Sequence, residues 1–321
     1  MRAAVVDIGT NSTRLLIADV TPDGGVVEIV RRSVVTRLGA GVDAQGSLSE
    51  EGCERVLAVL AEFRRDIDAH EGEDGSYPNL AVMTSAVRDA HNGREFAERV
   101  RSECSLDARI LTGEEEARMT FLGAMSGRPS AVEPTVVVDI GGGSTEFVIG
   151  VGKTAGFHAS LPAGVVRMSE RHIHDDPPAP TELQEIASDA RAVYLAGLPE
   201  DERAPVRRGI AVAGTATSAA AIDQKLDPYD PERVHGYPLL LATVEMLLAR
   251  LADMDEAQRR EVVGLDPSRA PTIVAGMILL SEAMRVFGLD EVEVSEHDIL
   301  HGGALSLGAR ENSGSHGSSD I

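Results

Sequence analysis

The sequence predicts a duplicated α/β fold in which each half opens on a glycine-turned hairpin of strands. Three observations carry this. The first is the stretch Val137-Val138-Asp139-Ile140-Gly141-Gly142-Gly143-Ser144-Thr145-Glu146-Phe147-Val148-Ile149, two short β-branched apolar runs around glycines and hydroxyls. Such runs read as buried strands. The second is a counterpart at Val5 to Ile17. It matches at Val5, Val6, Asp7, Ile8, Gly9, Ser12, Thr13 and Ile17, without a gap, at the constant offset 139 − 7 = 132. Hairpin chemistry alone requires neither the shared aspartate nor the shared Ser-Thr pair, so the match marks an internal repeat. The third is that both halves follow one order: three strands, helix, strand, helix, strand, helix.

In the first half, Val26 to Leu38 continues the hairpin as a third strand, and Gly39 to Ser47 is a loop. Ser47 with Glu50 suits a capping box, and Ser49 is a second candidate cap. Val56, Leu60, Phe63 and Ile67 then share one helical face. Asp68 to Pro78 is a polar connector. Leu80 to Met83 is a buried strand running into Thr84-Ser85-Ala86-Val87-Arg88, and a helix through Phe96 and Val100 follows. Ala108 to Leu111 is a strand, and a helix starting near Glu114 runs through Met119 and Leu122.

The second half repeats the plan. Strands are expected at 135–139, 144–151 and 154–160, then a helix around Val165 to Ile173 and a proline-rich loop from Asp175 to Pro180. Thr181 with Gln184 suits the cap of a helix toward Leu195. Ile210 to Val212 is a strand that Ala213-Gly214-Thr215-Ala216-Thr217 turns into a helix. Further helices are expected at 239–251 and 270–286, a strand at 291–295 and a closing helix at 298–309. This element order resembles the ribonuclease-H-like, actin/Hsp70/sugar-kinase superfold, with two domains and a ligand cleft between them. The boundaries read as 1–126 plus 298–310 for the first domain, 127–297 for the second, and a disordered tail at 311–321.

Composition narrows the function classes. The chain has 321 residues with 43% hydrophobic content, enough for one or two ordinary cores. Aromatic residues make up 3%, with no Trp, so base stacking is a poor mode of recognition. The net charge of −22 argues against nucleic acid and against an anionic membrane surface. A phosphate ligand must therefore be met by a local basic pocket or by cations, and Lys153 and Lys225 are the only lysines. Cys53 and Cys104 form no disulfide framework. No leader or membrane span is expected, which makes a cytoplasmic location the default.

The turns carry the chemistry. Glycines allow backbone N–H groups close to an anion. An acid at the end of one strand and another after the turn can hold a hydrated divalent cation. Gly152-Lys153-Thr154 is not a P-loop, because its first glycine would fall on Phe147. Thr84 to Arg88 places hydroxyls and a guanidinium at a strand-to-helix junction, which suits phosphate and equally suits a capped helix with a solvated arginine. Glu114, Glu115 and Glu116 complement a helix dipole, and composition does not choose which of them could be a base. The His172-Ile173-His174-Asp175-Asp176 run reads as a solvated loop. The same reading holds for His297, Asp298 and His301. His235, near a turn, stays open.

Together, Asp7-Ile8-Gly9-Thr10-Asn11-Ser12, Thr84 to Arg88, Gly113-Glu114-Glu115-Glu116-Ala117-Arg118, Asp139 to Glu146, Ala213 to Thr217 and Arg233-Val234-His235-Gly236 resemble the exopolyphosphatase/guanosine pentaphosphate phosphatase (Ppx/GppA) family, in its short two-domain form. The resemblance covers the chain to about Leu307. It implies that Glu116 is the catalytic base and that Arg88 neutralises transition-state charge. Asp7, Asp139 and Glu146 would hold Mg²⁺, or Mn²⁺. Thr10, Asn11, Ser12, Arg14, Gly141, Gly142, Gly143, Ser144 and Thr145 would bind substrate. It further implies a homodimer and inorganic polyphosphate as substrate, with short chains preferred. Guanosine pentaphosphate is the alternative substrate. An ATP-dependent kinase of the same superfold and a non-catalytic polyphosphate sensor are the remaining alternatives.

Overall fold

A computed structural model describes residues 1–71, 77–128 and 132–314, with side chains through Ala309. The chain divides into two compact units, Met1–Arg128 with Asp298–Ile321, and Pro129–His297.

The first unit begins with β1 (Arg2–Ile8), β2 (Ser12–Val20) and β3 (Val26–Val35), all antiparallel neighbours. Then come α1 (Val42–Gln45), α2 (Glu50–Ala69), β4 (Asn79–Met83), α3 (Ser85–Asp89), α4 (Gly93–Cys104), β5 (Ala108–Ile110) and α5 (Gly113–Ala124). β1 and β4, and β4 and β5, pair in parallel, giving the sheet order β3-β2-β1-β4-β5. The strand alternation divides the core in two. Ala4, Val6, Ile8, Leu15, Ile17, Ala81 and Met83 pack with Val56, Leu60, Phe63 and Ile67 of α2 and Phe96 and Val100 of α4. Ala3, Val5, Leu16, Ala18, Leu80 and Val82 form the core on the opposite face. Both faces are covered, so β1 is an unbroken apolar run up to Asp7.

The second unit repeats this with β6 (Thr135–Ile140), β7 (Thr145–Val151), β8 (Thr154–Leu161), α6 (Val165–His172), α7 (Pro180–Gly197), α8 (Glu200–Arg203), β9 (Arg208–Val212), α9 (Ala213–Asp223), α10 (Pro231–Val234), β10 (Pro238–Leu240), α11 (Leu241–Ala252), α12 (Glu256–Arg260), a 3₁₀ turn at Pro267–Arg269, α13 (Ile273–Phe287) and β11 (Glu291–Val294). Its sheet runs β10-β11-β9-β6-β7-β8. Removing the antiparallel edge strand β10 leaves the strand order and directions of the first sheet. The closing helix α14 (Ile299–Gly314) belongs to the first unit, where Ile299, Leu300, Ala304 and Leu307 complete the second core face. The duplicated ribonuclease-H-like α/β fold is therefore present in both units.

Several local expectations change. Ser49, not Ser47, caps α2, accepting from the Gly52 amide. α7 starts at Pro180, and Glu182 closes its first turn by accepting from the amides of His174, Asp175 and Ala179, so the Thr181–Gln184 cap does not form. Leu239 lies in β10, ahead of α11, because its backbone pairs with β11. α14 continues through Gly314, into the stretch expected as a tail, and 315–321 lie outside the described residues. So does 72–76, within the expected Asp68–Pro78 connector. Among the described residues, no helix is long and apolar enough to cross a membrane.

Candidate active site

The two hairpins turn identically. The Gly9 amide donates to the Ser12 carbonyl at 3.0 Å, and the Gly141 amide donates to the Ser144 carbonyl at 3.0 Å. The ladder then places Asp7 opposite Arg14 and Asp139 opposite Glu146.

In the first unit, Asp7 lies on the strand face that α14 covers. Arg14 donates to Asp7 Oδ2 through Nε at 2.9 Å and Nη2 at 2.7 Å, and through Nη1 to Asp298, just before α14. The Arg14 guanidinium, a substrate ligand by the family resemblance, bridges two buried aspartates. The reason is burial: two carboxylates inside the unit require a cation. Arg31 Nη2 stands 3.9 Å from Asp298, and the buried His301 lies 3.1 Å from Glu28. Burial pushes the Asp7 carboxyl above its ordinary value despite Arg14. Burial also acts to raise Asp298, yet Arg14, Arg31 and His301 together hold it below its ordinary value. Asp7 Oδ1 is buried without a hydrogen-bond partner, so this oxygen is available to a ligand.

The start of α5 gives Glu114, Glu115 and Glu116 different surroundings. Thr112 and Glu115 form a reciprocal capping box, with the Thr112 amide donating to Glu115 Oε2 at 2.9 Å and the Glu115 amide to Thr112 Oγ1 at 3.2 Å. Glu114 is exposed. Glu116 is 7% exposed, and Arg88 Nη1 donates to its Oε2 at 2.7 Å. The same Arg88 nitrogen reaches the Leu111 carbonyl at 3.2 Å. Arg88 is thus held against the one buried acid of the three. The hydroxyls of Thr10 and Ser85 meet at 2.9 Å, tying the first turn to α3. Asn11 and Ser12 lie at that turn, and the Asn11 carbonyl accepts from the Thr36 and Arg37 amides.

In the second unit, Glu146 is 2% exposed, and its Oε1 accepts from Ser144 Oγ at 2.6 Å and Ser160 Oγ at 2.8 Å. Asp139 and Glu146 put two carboxylates side by side at the strand ends. Thr145, expected to bind phosphate, points inward: its hydroxyl donates to the Ala163 carbonyl at 2.5 Å and meets the Tyr194 hydroxyl at 3.2 Å. The alternation along β7 imposes this, since Thr145, Phe147 and Ile149 share the core face. Gly141, Gly142 and Gly143 form the turn. Gly164 packs onto it so closely that an added Cβ would lie 2.4 Å from the Gly142 carbonyl carbon.

Sequence reasoning missed two arginines here. Arg167 Nε donates to the Gly143 carbonyl at 2.8 Å. Arg269 lies on Gly214, where a Cβ would sit 1.6 Å from its Nη1. Gly214 lies two residues after Val212, which is in register with Asp139, so Arg269 belongs to the same sheet end. Neither arginine lies in a motif, and no sequence signal would have selected them. The solvated-loop reading does not hold for Asp298 and His301, which are buried. His172 Nε2 bonds Asp189 at 3.1 Å, and His235 stacks on His297 with ring centroids 4.3 Å apart while its Nδ1 accepts from the Glu296 amide.

Known proteins resemble this chain over most of its length. The model of the Ppx/GppA phosphatase family matches residues 16–310. A Mycobacterium tuberculosis protein named exopolyphosphatase 2 is 36% identical over 321 aligned residues, covering 95% of this chain and 98% of its own. The crystal structure of an Aquifex aeolicus Ppx/GppA family member is 32% identical, with a TM-score of 0.80, over 97% of this chain and 99% of its own. An exopolyphosphatase structure from Cytophaga hutchinsonii is 25% identical, with a TM-score of 0.86, over 96% of this chain and 98% of its own. Agreement of that extent, in sequence and in fold, identifies the family: the chain belongs to the Ppx/GppA phosphatases, which are hydrolases.

Proposed function

We propose that this phosphatase is a metal-dependent exopolyphosphatase that cleaves the terminal phosphoanhydride of inorganic polyphosphate. One observation carries the reading: of three consecutive glutamates, Glu116 alone is buried, and it is held by Arg88. A general base needs a carboxylate at a fixed place, and phosphoryl transfer needs positive charge where the transferred group passes. Glu116 takes a proton from water, the water oxygen bonds to the terminal phosphorus, and the bridging P–O bond breaks. Orthophosphate leaves, and the shortened chain carries the departing electron pair. Arg88 offsets the charge on the equatorial oxygens.

The donor set fits a hard divalent cation such as Mg²⁺ or Mn²⁺. Asp139 and Glu146, both of the second unit, are adjacent oxygen donors. When bound, the cation supplies charge neutralisation that a chain of net charge −22 lacks. The amides of the glycine turn hold phosphate oxygens. Guanosine pentaphosphate ends in the same anhydride, and relative kcat/KM on the two substrates ranks them. The relatives named exopolyphosphatase support polyphosphate first.

The test is orthophosphate release from polyphosphate with Mg²⁺. Glu116→Gln is expected to lose about 10²- to 10⁴-fold in kcat while still binding polyphosphate. Equal release by both proteins removes Glu116 as the base, and no release by the wild type removes the activity.

A further inference from the structure

We propose that Arg167 is a positioning residue: its guanidinium, with the first turn of α6, fixes the peptide planes of the glycine turn so that their N–H groups face the anion. This rests on the reading of that turn as the phosphate holder. The turn's carbonyls are all taken from one side. The Gly141 carbonyl accepts from the Val165 amide at 2.9 Å, and the Gly142 carbonyl accepts from the Val166 and Arg167 amides at 2.8 and 3.2 Å. The Gly143 carbonyl accepts from Arg167 Nε at 2.8 Å. In a trans peptide the N–H of the next residue points opposite to the C=O. Pinning these three carbonyls therefore aims the amides of Gly142, Gly143 and Ser144 away from α6.

The turn needs this because glycines offer little stiffness of their own. A peptide free to rotate would present its carbonyl to phosphate as readily as its amide. A cationic donor on the carbonyl also polarises the peptide, which strengthens the amide on its other side. Gly164 permits the close approach, since a side chain there would strike Gly142 and Gly143.

The first unit solves the same problem with backbone alone. The Thr10 carbonyl accepts from the Gly39 amide at 2.8 Å, and the Asn11 carbonyl accepts from the Thr36 and Arg37 amides at 3.0 and 2.9 Å. At the offset of the repeat, Asn11 corresponds to Gly143 (143 − 11 = 132). Only at that position of the second turn does a side chain take the place of the two amides, which makes the device accessible to mutation.

Orthophosphate binding by calorimetry tests the role without requiring turnover. Arg167→Ala is expected to weaken binding about tenfold or more, with an unchanged melting temperature in phosphate-free buffer. Arg167→Lys, whose ammonium can still donate to the Gly143 carbonyl, is expected to recover most of the affinity. Wild-type affinity in Arg167→Ala overturns the proposal. So does equal weakness in both variants, which would indicate a guanidinium touching the anion directly, or absence of orthophosphate binding by the wild type. A wild type that binds orthophosphate but leaves polyphosphate intact sinks the hydrolytic reading alone and leaves the positioning role standing.

Discussion

In the first hairpin the residue facing the strand-end aspartate is Arg14, and in the second it is Glu146. The hydrogen bond that closes each turn, Gly9 to Ser12 and Gly141 to Ser144, is the same in both. The first pair is an ion pair that Asp298 extends into a buried node, and the second is two acids side by side. Directly opposed residues lie about 5 Å apart. At an effective dielectric of about 20, two carboxylates at that spacing repel by roughly 3 kcal/mol. The comparison teaches that one ladder position decides whether the strand-end aspartate faces a cationic or an acidic side chain. In the second hairpin, Ser144 and Ser160 hydrogen-bond Glu146.

The largest effect should come from giving the second hairpin the charges of the first. Glu146→Arg is expected to lower kcat by about 10³-fold or more, since metal neutralisation contributes several kcal/mol to the transition state. It should also lose the Mg²⁺-dependent rise in melting temperature. Chelation of the wild type should reproduce both results, and a variant that still responds to Mg²⁺ would break the contrast between the hairpins.

A smaller effect, on stability, is expected from Arg14→Gln. Removing the shared cation leaves Asp7 and Asp298 buried together, at a cost of about 3–5 kcal/mol. Urea unfolding measures it. Arg14→Lys should restore part of the loss, and an unchanged midpoint in the glutamine variant would show that the node contributes nothing.

The smallest effect is on the pH profile of stability. Asp298 titrates below its ordinary value of 3.8 when folded, so its contribution is complete above that value and fades as pH falls below it. Asp7 titrates above 3.8 when folded and works in the opposite sense, gaining as pH falls through its folded value. Asp298→Asn should therefore flatten the acid limb of a stability-against-pH curve. A steeper limb would reverse the assignment of the two signs.

The hairpins and the helical face of Val56, Leu60, Phe63 and Ile67 were legible because strand and helix periods, and glycine turns, are local properties. Asp7 and Asp139 were legible as strand-end acids because the repeat matches them at one offset, and Glu146 as the acid just after the second turn. Glu116 was not separable from its neighbours by composition. Its burial, the contact with Arg88 and the diversion of Glu115 into a capping box distinguish it only in the folded chain. Thr145 read as a ligand through the family resemblance, and its strand facing turns it inward.

By itself the sequence determined the repeat, the succession of strands and helices that the halves share and the acids at the strand ends, since pattern and turn chemistry act over a few residues. Tertiary structure decided the charges. Arg14 reaches Asp298 across a separation of 284 residues, Arg88 reaches Glu116 across 28, and Arg167 reaches Gly143 across 24. Which cation serves which acid depends on contacts that exist only once the sheet and helices have packed, because a buried charge selects the partner that folding brings within reach.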